Sequence, residues 1–206
     1  MDTRRNQRVR RLVRKLNRAR KIQAKKIDLL CDDMIKAHRN SLRQLRNFGL
    51  VLEYYEKILG LNNIDALLDT TAQFIHSYLD GSNVAIYIHG TVRTHIVDPK
   101  SPENFDHEQF EQCFAGDIVD GIFSLNNCRN LDQLLEAGLQ VNPALAKKVS
   151  ATAIPFNPSC PHKGLILLYR CAQTPLGSEQ IKNVCALVPT LCRLIGSIKE
   201  ALPTKG

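Results

Sequence analysis

The residues that could do chemistry in this chain are chiefly its cysteines and histidines. Seven cysteines are present: Cys31, Cys113, Cys128, Cys160, Cys171, Cys185 and Cys192. Their number is odd, their spacing fits no disulfide framework, and no C-x-x-C pair occurs. The best-placed pair is Cys160 and His162 in the run Ser-Cys-Pro-His-Lys. A neighbouring Lys163 and His162 would lower the thiol pKa and make Cys160 an oxidisable nucleophile. One reading of the chain is therefore a thiol-based redox sensor or reductase using Cys160 with Cys113 or Cys128. A tetrahedral zinc site needs four ligands, and this run supplies two, so no metal is expected. Cys185 and Cys192 are seven apart on the apolar face of a helix and read as core. His89 and His95 flank a hairpin and receive no catalytic role. No Ser–His–Asp order, phosphate-binding loop or dinucleotide glycine pattern is present, so the chain is expected to be non-catalytic.

The second chemical feature is charge. Residues 1–46 hold sixteen Lys and Arg against four acids, whereas the remaining 160 residues hold 12 bases and 16 acids. Twelve of those bases fall within the first 26 residues. Arg4, Arg5, Arg8, Arg11, Arg14, Lys15, Arg18, Lys21 and Lys25 occupy every side of a helix rather than one stripe. Such density suits an acidic protein partner or nucleic acid bound through its phosphates, without a residue set placed to read base edges.

These residues must be carried by a long helix. From Arg4 to Leu59 there is no Pro, and Gly49 is the only Gly, so helix is the natural state. Leu45, Phe48, Leu52, Tyr55 and Leu59 recur at alternating spacings of three and four. That seam can zip against a second copy or pack on its own domain, and a homodimer through it is expected. Gly60-Leu-Asn-Asn closes the helix. The domains are accordingly read as a basic helical arm or coiled-coil segment over 1–60 and an α/β domain over 61–206.

Beyond the arm, the spacing predicts an amphipathic helix over Ile64–Leu79 with Asn63 as its N-cap. A hairpin of Val84–Ile88 and Val92–Val97 follows. Short helices are expected at His107–Phe114 and Leu131–Ala137, with a strand around Ile118–Phe123. Strands at Ser150–Phe156 and Gly164–Arg170 precede a long helix from Ser178 to about Ala201. No run of eighteen apolar residues suggests a membrane span, no secretory signal follows the basic start, and unpaired cysteines favour a reducing compartment. A cytoplasmic location is expected.

From Ser150 to Leu202 the chain resembles the closing half of a GAF domain. The pieces are Ser-Ala-Thr-Ala-Ile-Pro-Phe ending at Phe156, the Gly-initiated strand Gly164-Leu-Ile-Leu-Leu-Tyr-Arg, and Pro175-Leu-Gly-Ser-Glu-Gln-Ile opening the last helix. The opening helix, the turn at Asp80 and the strand Val-Ala-Ile-Tyr-Ile extend the similarity to about 62–202. The resemblance implies an α+β fold: an antiparallel sheet of five or six strands, helices on both faces, and a cover formed by 98–149. It also implies a pocket under that cover lined by Tyr87, Phe123 and Thr152, either open to a small ligand or filled as ordinary core. Strands apolar at successive positions agree with a sheet covered on both faces. The family's chromophore, nucleotide, haem and reductase signatures do not transfer, and no cofactor is identified. The expected function is a regulatory or adaptor protein that senses a small ligand or docks a partner. The chain ends just past the last helix, so output would pass through the arm or a separate protein. A constitutive subunit of a larger assembly is the remaining alternative.

Overall fold

A computed structural model of the chain describes residues 2–99, 105–114 and 127–201. By internal contact it divides into two units, Met1–Phe48 and Gly49–Gly206. The strand expected around 118–123, and Phe123 with it, lies outside the described residues.

Helix α1 (Asp2–Ile58) supplies the first unit, and its last turns belong to the second. The division falls earlier than the boundary expected near residue 60, because Tyr54 and Ile58 are fully buried in the domain core. The Tyr54 hydroxyl donates to Thr71 Oγ1 at 2.9 Å, while the Thr71 hydroxyl bonds the Leu67 carbonyl at 2.7 Å. The domain therefore grips a face of α1 lying about 100° from the heptad seam. Leu52, Tyr55 and Leu59 of the second unit stay exposed, as do Leu45 and Phe48 of the first.

Helix α2 (Ile64–Tyr78) starts as its cap residue dictates, with Asn63 accepting from the Asp65 N–H. Strands β1 (Asn83–Ile88) and β2 (Thr91–Ile96) form the hairpin. His89 and Gly90, both at positive φ (50° and 74°), make its two-residue loop, a backbone that matches strand twist. Helix α3 (His107–Gln112), strand β3 (Arg129–Asn130), helix α4 (Leu131–Glu136) and helix α5 (Pro143–Ala146) follow. Strands β4 (Val149–Pro155) and β5 (Gly164–Cys171) and helix α6 (Ser178–Ala201) complete the chain. Neither β3 nor α5 was legible in the sequence, since each is under five residues.

The sheet is antiparallel throughout, in the order β2-β1-β5-β4-β3. Every residue of β1 is buried, so its unbroken apolar run reflects a central strand covered on both faces. On one face α2, α6 and the end of α1 pack against Val84, Ile86, Ile154, Ile166 and Leu168. On the other, α3 and α4 cover Ala85, Tyr87, Ala153, Leu165, Leu167 and Tyr169. Gly164 is held at the start of β5 by crowding. A Cβ there would run into the Phe156 ring and lie 2.6 Å from the Tyr87 carbonyl oxygen.

By length and composition alone, Ser178–Ile198 would suffice to cross a membrane, which differs from the reading that no such run exists. Its apolar stripe, Val184, Leu187, Leu191 and Ile195, is instead the wall of the core.

Candidate functional site

At the end of the sheet where β1 and β4 begin and β5 finishes lies a cavity of about 310 Å³. Phe105 and Tyr169 form aromatic wall, Val149 adds apolar surface, and Lys147 and Lys148 bring positive charge. The Phe105 and Tyr169 rings lie 6.0 Å apart between centroids, tilted by 41°. Arg170 alternates with Tyr169 along β5, so its side chain lies on the α6 face, where Nη2 donates to the Pro175 carbonyl (2.8 Å) and to Gln180 Oε1 (3.2 Å); among the described residues its buried Nε has no partner. An apolar cleft with a few convergent cationic groups is the usual make-up of a small-anion site.

Behind this cavity the sheet is bolted to its cover through one residue, Glu111. Tyr169 donates to Glu111 Oε1 at 2.6 Å, His95 Nδ1 lies 3.2 Å from Oε2, and the Tyr87 hydroxyl donates to the Glu111 carbonyl at 2.9 Å. His107 Nδ1 is 3.1 Å from the Tyr169 hydroxyl. Burial pushes the Tyr169 and Tyr87 hydroxyls far above the usual phenol range, and for both the adjacent carboxylate adds to the shift. Burial also lowers the His107 pKa, against the pull of Glu111 and Asp106.

The structure does not bring the expected ligand residues together. Tyr87 is fully buried beneath α3 with its hydroxyl satisfied, so it is cover-side core rather than cavity lining. Thr152 pairs with Leu168 and alternates with Ala151 and Ala153, which places it on the opposite, α2/α6 face. Tyr87 and Thr152 therefore cannot line one pocket. The lining that sequence reasoning missed begins at Tyr169-Arg170, where a polar-tipped aromatic and a base end the run Leu-Ile-Leu-Leu.

The thiols are also paired differently from expectation. Cys113 packs with the cover-side core and Cys160 with the helix-side core, so the sheet separates them. Cys128 meets Cys185, with the two sulfurs 2.8 Å apart, and Cys160 packs against the helix-side core that contains Cys192, where the two thiols interact. Cys185 and Cys192, read as inert core, are thus each in contact with a loop thiol. The partner thiol lowers Cys160 to about 7, and a His162 backbone bond assists. Cys185 lowers Cys128 to about 7 in the same way. The two helix thiols are pushed up by their partners and by burial. The imidazole of His162 faces His89, Nδ1 to Nε2 at 2.9 Å. Among the described residues no group of three or more His, Cys, Asp or Glu could hold a metal.

In the arm, Arg8, Arg11, Arg14, Lys15, Arg18, Lys21 and Lys25 are all exposed; the side chains of Arg4 and Arg5 lie outside the described residues.

No family model matches the sequence, and no curated protein matches it. Solved structures do resemble it. A phycocyanobilin-bound GAF domain from a cyanobacterial phytochrome shares 13% identity with a TM-score of 0.53, covering 76% of this chain and 97% of that one. The GAF domain of a phosphoenolpyruvate-protein phosphotransferase from Coxiella burnetii shares 10%, TM-score 0.52, over 76% and 96%. A GAF domain/HD domain protein from Geobacter sulfurreducens shares 12%, TM-score 0.51, over 69% and 98%. With the sheet order, the two covered faces and these likenesses taken together, the globular part of the chain has the GAF fold.

Proposed function

We propose that this chain is a non-catalytic regulatory module whose domain binds a small organic anion and whose basic arm engages an acidic partner, nucleic acid included. The observation that carries the reading is the cavity at Tyr169: aromatic on one wall, with Lys147 and Lys148 beside it. A carboxylate or phosphate there would meet the ammonium groups of Lys147 and Lys148, and a charge-assisted hydrogen bond is stronger than a neutral one. Ligand charge would reach the rest of the domain through Tyr169, which is bonded to Glu111 of the cover. The structural relative that holds phycocyanobilin supports a ligand role for the same fold.

The exposed seam from Leu45 to Leu59 supports self-association of two copies, which would place two arms side by side and raise their local charge. The test is native mass spectrometry of the full chain isolated gently from cells, beside a double variant with Lys147→Gln and Lys148→Gln. A retained small anion that is lost in the variant supports the reading. Retention of the same mass by the double variant, or no ligand in either, refutes the cavity as the sensing site. An arm with Arg8, Arg11, Arg14, Lys15 and Arg18 changed to Gln should lose any co-purifying acidic macromolecule.

A further inference from the structure

Helix α6 presents two thiols on one face, Cys185 and Cys192, seven residues or about 10 Å of helix rise apart. Each meets a cysteine from a different part of the chain. Cys128 precedes β3, and Cys160 sits in the loop between β4 and β5. The Cys128 and Cys185 sulfurs are 2.8 Å apart, within about 0.8 Å of a disulfide bond. Cys160 packs against the helix-side core that contains Cys192, and the two thiols interact there. Beside the first couple runs a groove of about 430 Å³ lined by Cys128, Asn157, Pro158, Cys185, Val188 and Pro189. Pro189 has no N–H to give the Cys185 carbonyl, so α6 lacks one of its hydrogen bonds at the turn carrying the first thiol.

We propose that Cys128–Cys185 and Cys160–Cys192 are two reversible dithiol–disulfide couples, oxidised by peroxides, that lock two loops onto α6. The exposures divide the roles. Cys128 is exposed and Cys160 partly so, whereas Cys192 is buried. The loop cysteine therefore meets the oxidant and the helix cysteine resolves it. The lowered pKa of each loop thiol agrees, because a thiolate rather than a thiol attacks.

In the first step the thiolate attacks one oxygen of the hydroperoxide. An S–O bond forms, the O–O bond breaks, and the alkoxide leaves and takes up a proton as alcohol, or as water when the oxidant is hydrogen peroxide. Sulfur is oxidised to the sulfenic acid and the peroxide is reduced. In the second step the helix thiol attacks the sulfenic sulfur. The S–S bond forms, the S–O bond breaks, and hydroxide leaves with the thiol proton as water. Two equivalents of a low-molecular-weight thiol restore both thiols by exchange and end as their own disulfide. The anion site lies on the other side of the sheet, so the two couples operate whether or not it is filled.

The test uses the full chain. It is reduced, exposed to graded hydrogen peroxide, alkylated, digested without reductant and mapped by mass spectrometry. The expected result is protection of four of the seven cysteines, with cross-linked peptides joining Cys128 to Cys185 and Cys160 to Cys192, all reversed by dithiothreitol. Cys192→Ser should leave Cys160 as a sulfenic acid captured by dimedone while the other link still forms. Links joining other cysteines, or oxidation of Cys128 and Cys160 to sulfinic acid in the unaltered chain without either link, would overturn the proposal. The deciding map is made on the unaltered chain, so the proposal stands or falls there even if the variant fails to fold.

Discussion

The hydroxyl of Tyr169 donates to the carboxylate of Glu111 at 2.6 Å, and this bond, beside the 3.1 Å contact with His107 Nδ1, ties the central strand β5 to the helix that covers it. Tyr169 also walls the cavity. A side chain on the sheet is thereby shared between the candidate ligand site and the cover that would have to respond to it. A hydrogen bond to a buried charged group contributes more than a neutral one, and removing its donor leaves the charge short of a partner.

Tyr169→Phe is therefore expected to destabilise the domain by about 1–3 kcal/mol. Tyr87→Phe, which removes a bond to the Glu111 backbone carbonyl only, should cost about 1 kcal/mol. Urea unfolding of the two variants measures both. Equal losses would mean that the carboxylate bond carries no special weight.

Gly164→Ala should be more costly than its one methyl suggests. The added Cβ meets both a side chain, the Phe156 ring, and backbone, the Tyr87 carbonyl oxygen. Phe156 can repack but the strand cannot move without disturbing the ladder, so a loss of about 1–3 kcal/mol is expected. Adding Phe156→Leu should recover only part of it. Full recovery by thermal unfolding would assign the whole clash to the ring.

The fold was legible wherever periodicity was strong. The α2 stripe, the β1 run and the α6 stripe each announced both an element and the face it buries, and Gly164 marked the start of β5. The site was less legible. Tyr87 and Thr152 both looked like inward-facing strand residues, but sequence alone does not fix the register between β1 and β4, which are not neighbours in the sheet. Their faces emerge only through β5, which pairs with both. Cys185 and Cys192 sat on an apolar stripe and so looked like core. What distinguishes them is contact with Cys128 and Cys160, 57 and 32 positions earlier in the sequence, and no local pattern encodes that.

Acid should loosen the cover. Burial holds the His107 pKa below its unfolded value near 6.5, so the folded state disfavours its protonation. The sign follows: the contribution is fully present above the unfolded pKa and is lost as pH falls through the lower, folded one. Unfolding midpoints in urea should thus drop between pH 7.5 and 5, and His107→Gln should flatten part of that drop. An unchanged pH dependence in the variant would remove His107 as the cause.

Binding of a polyanion by the arm should be steeply salt-dependent. If about six phosphates are neutralised, affinity should fall roughly a thousandfold between 50 and 200 mM salt. Changing Arg11, Arg14 and Arg18 to Gln should lower the slope by about one for each phosphate no longer neutralised, with little dependence on base sequence. A slope that stays constant across these variants would place the binding elsewhere.

The two apolar faces of α1 near the domain make separable predictions. Ile58 is fully buried, so Ile58→Ala should cost about 2–4 kcal/mol of stability and leave association unchanged. Leu52 and Leu59 lie on the seam, 59% and 62% exposed. The double change of both to Lys removes nothing from the core, so the unfolding midpoint of a monomer should hardly move. If two copies zip through the seam, the same change puts like charges into it and should shift the sedimentation coefficient from dimer to monomer. Sedimentation velocity and urea unfolding of both variants resolve the question. A dimer that survives the double Lys change assigns the association to another surface, whereas a monomer with intact stability assigns Leu52 and Leu59 to the partner rather than to the fold.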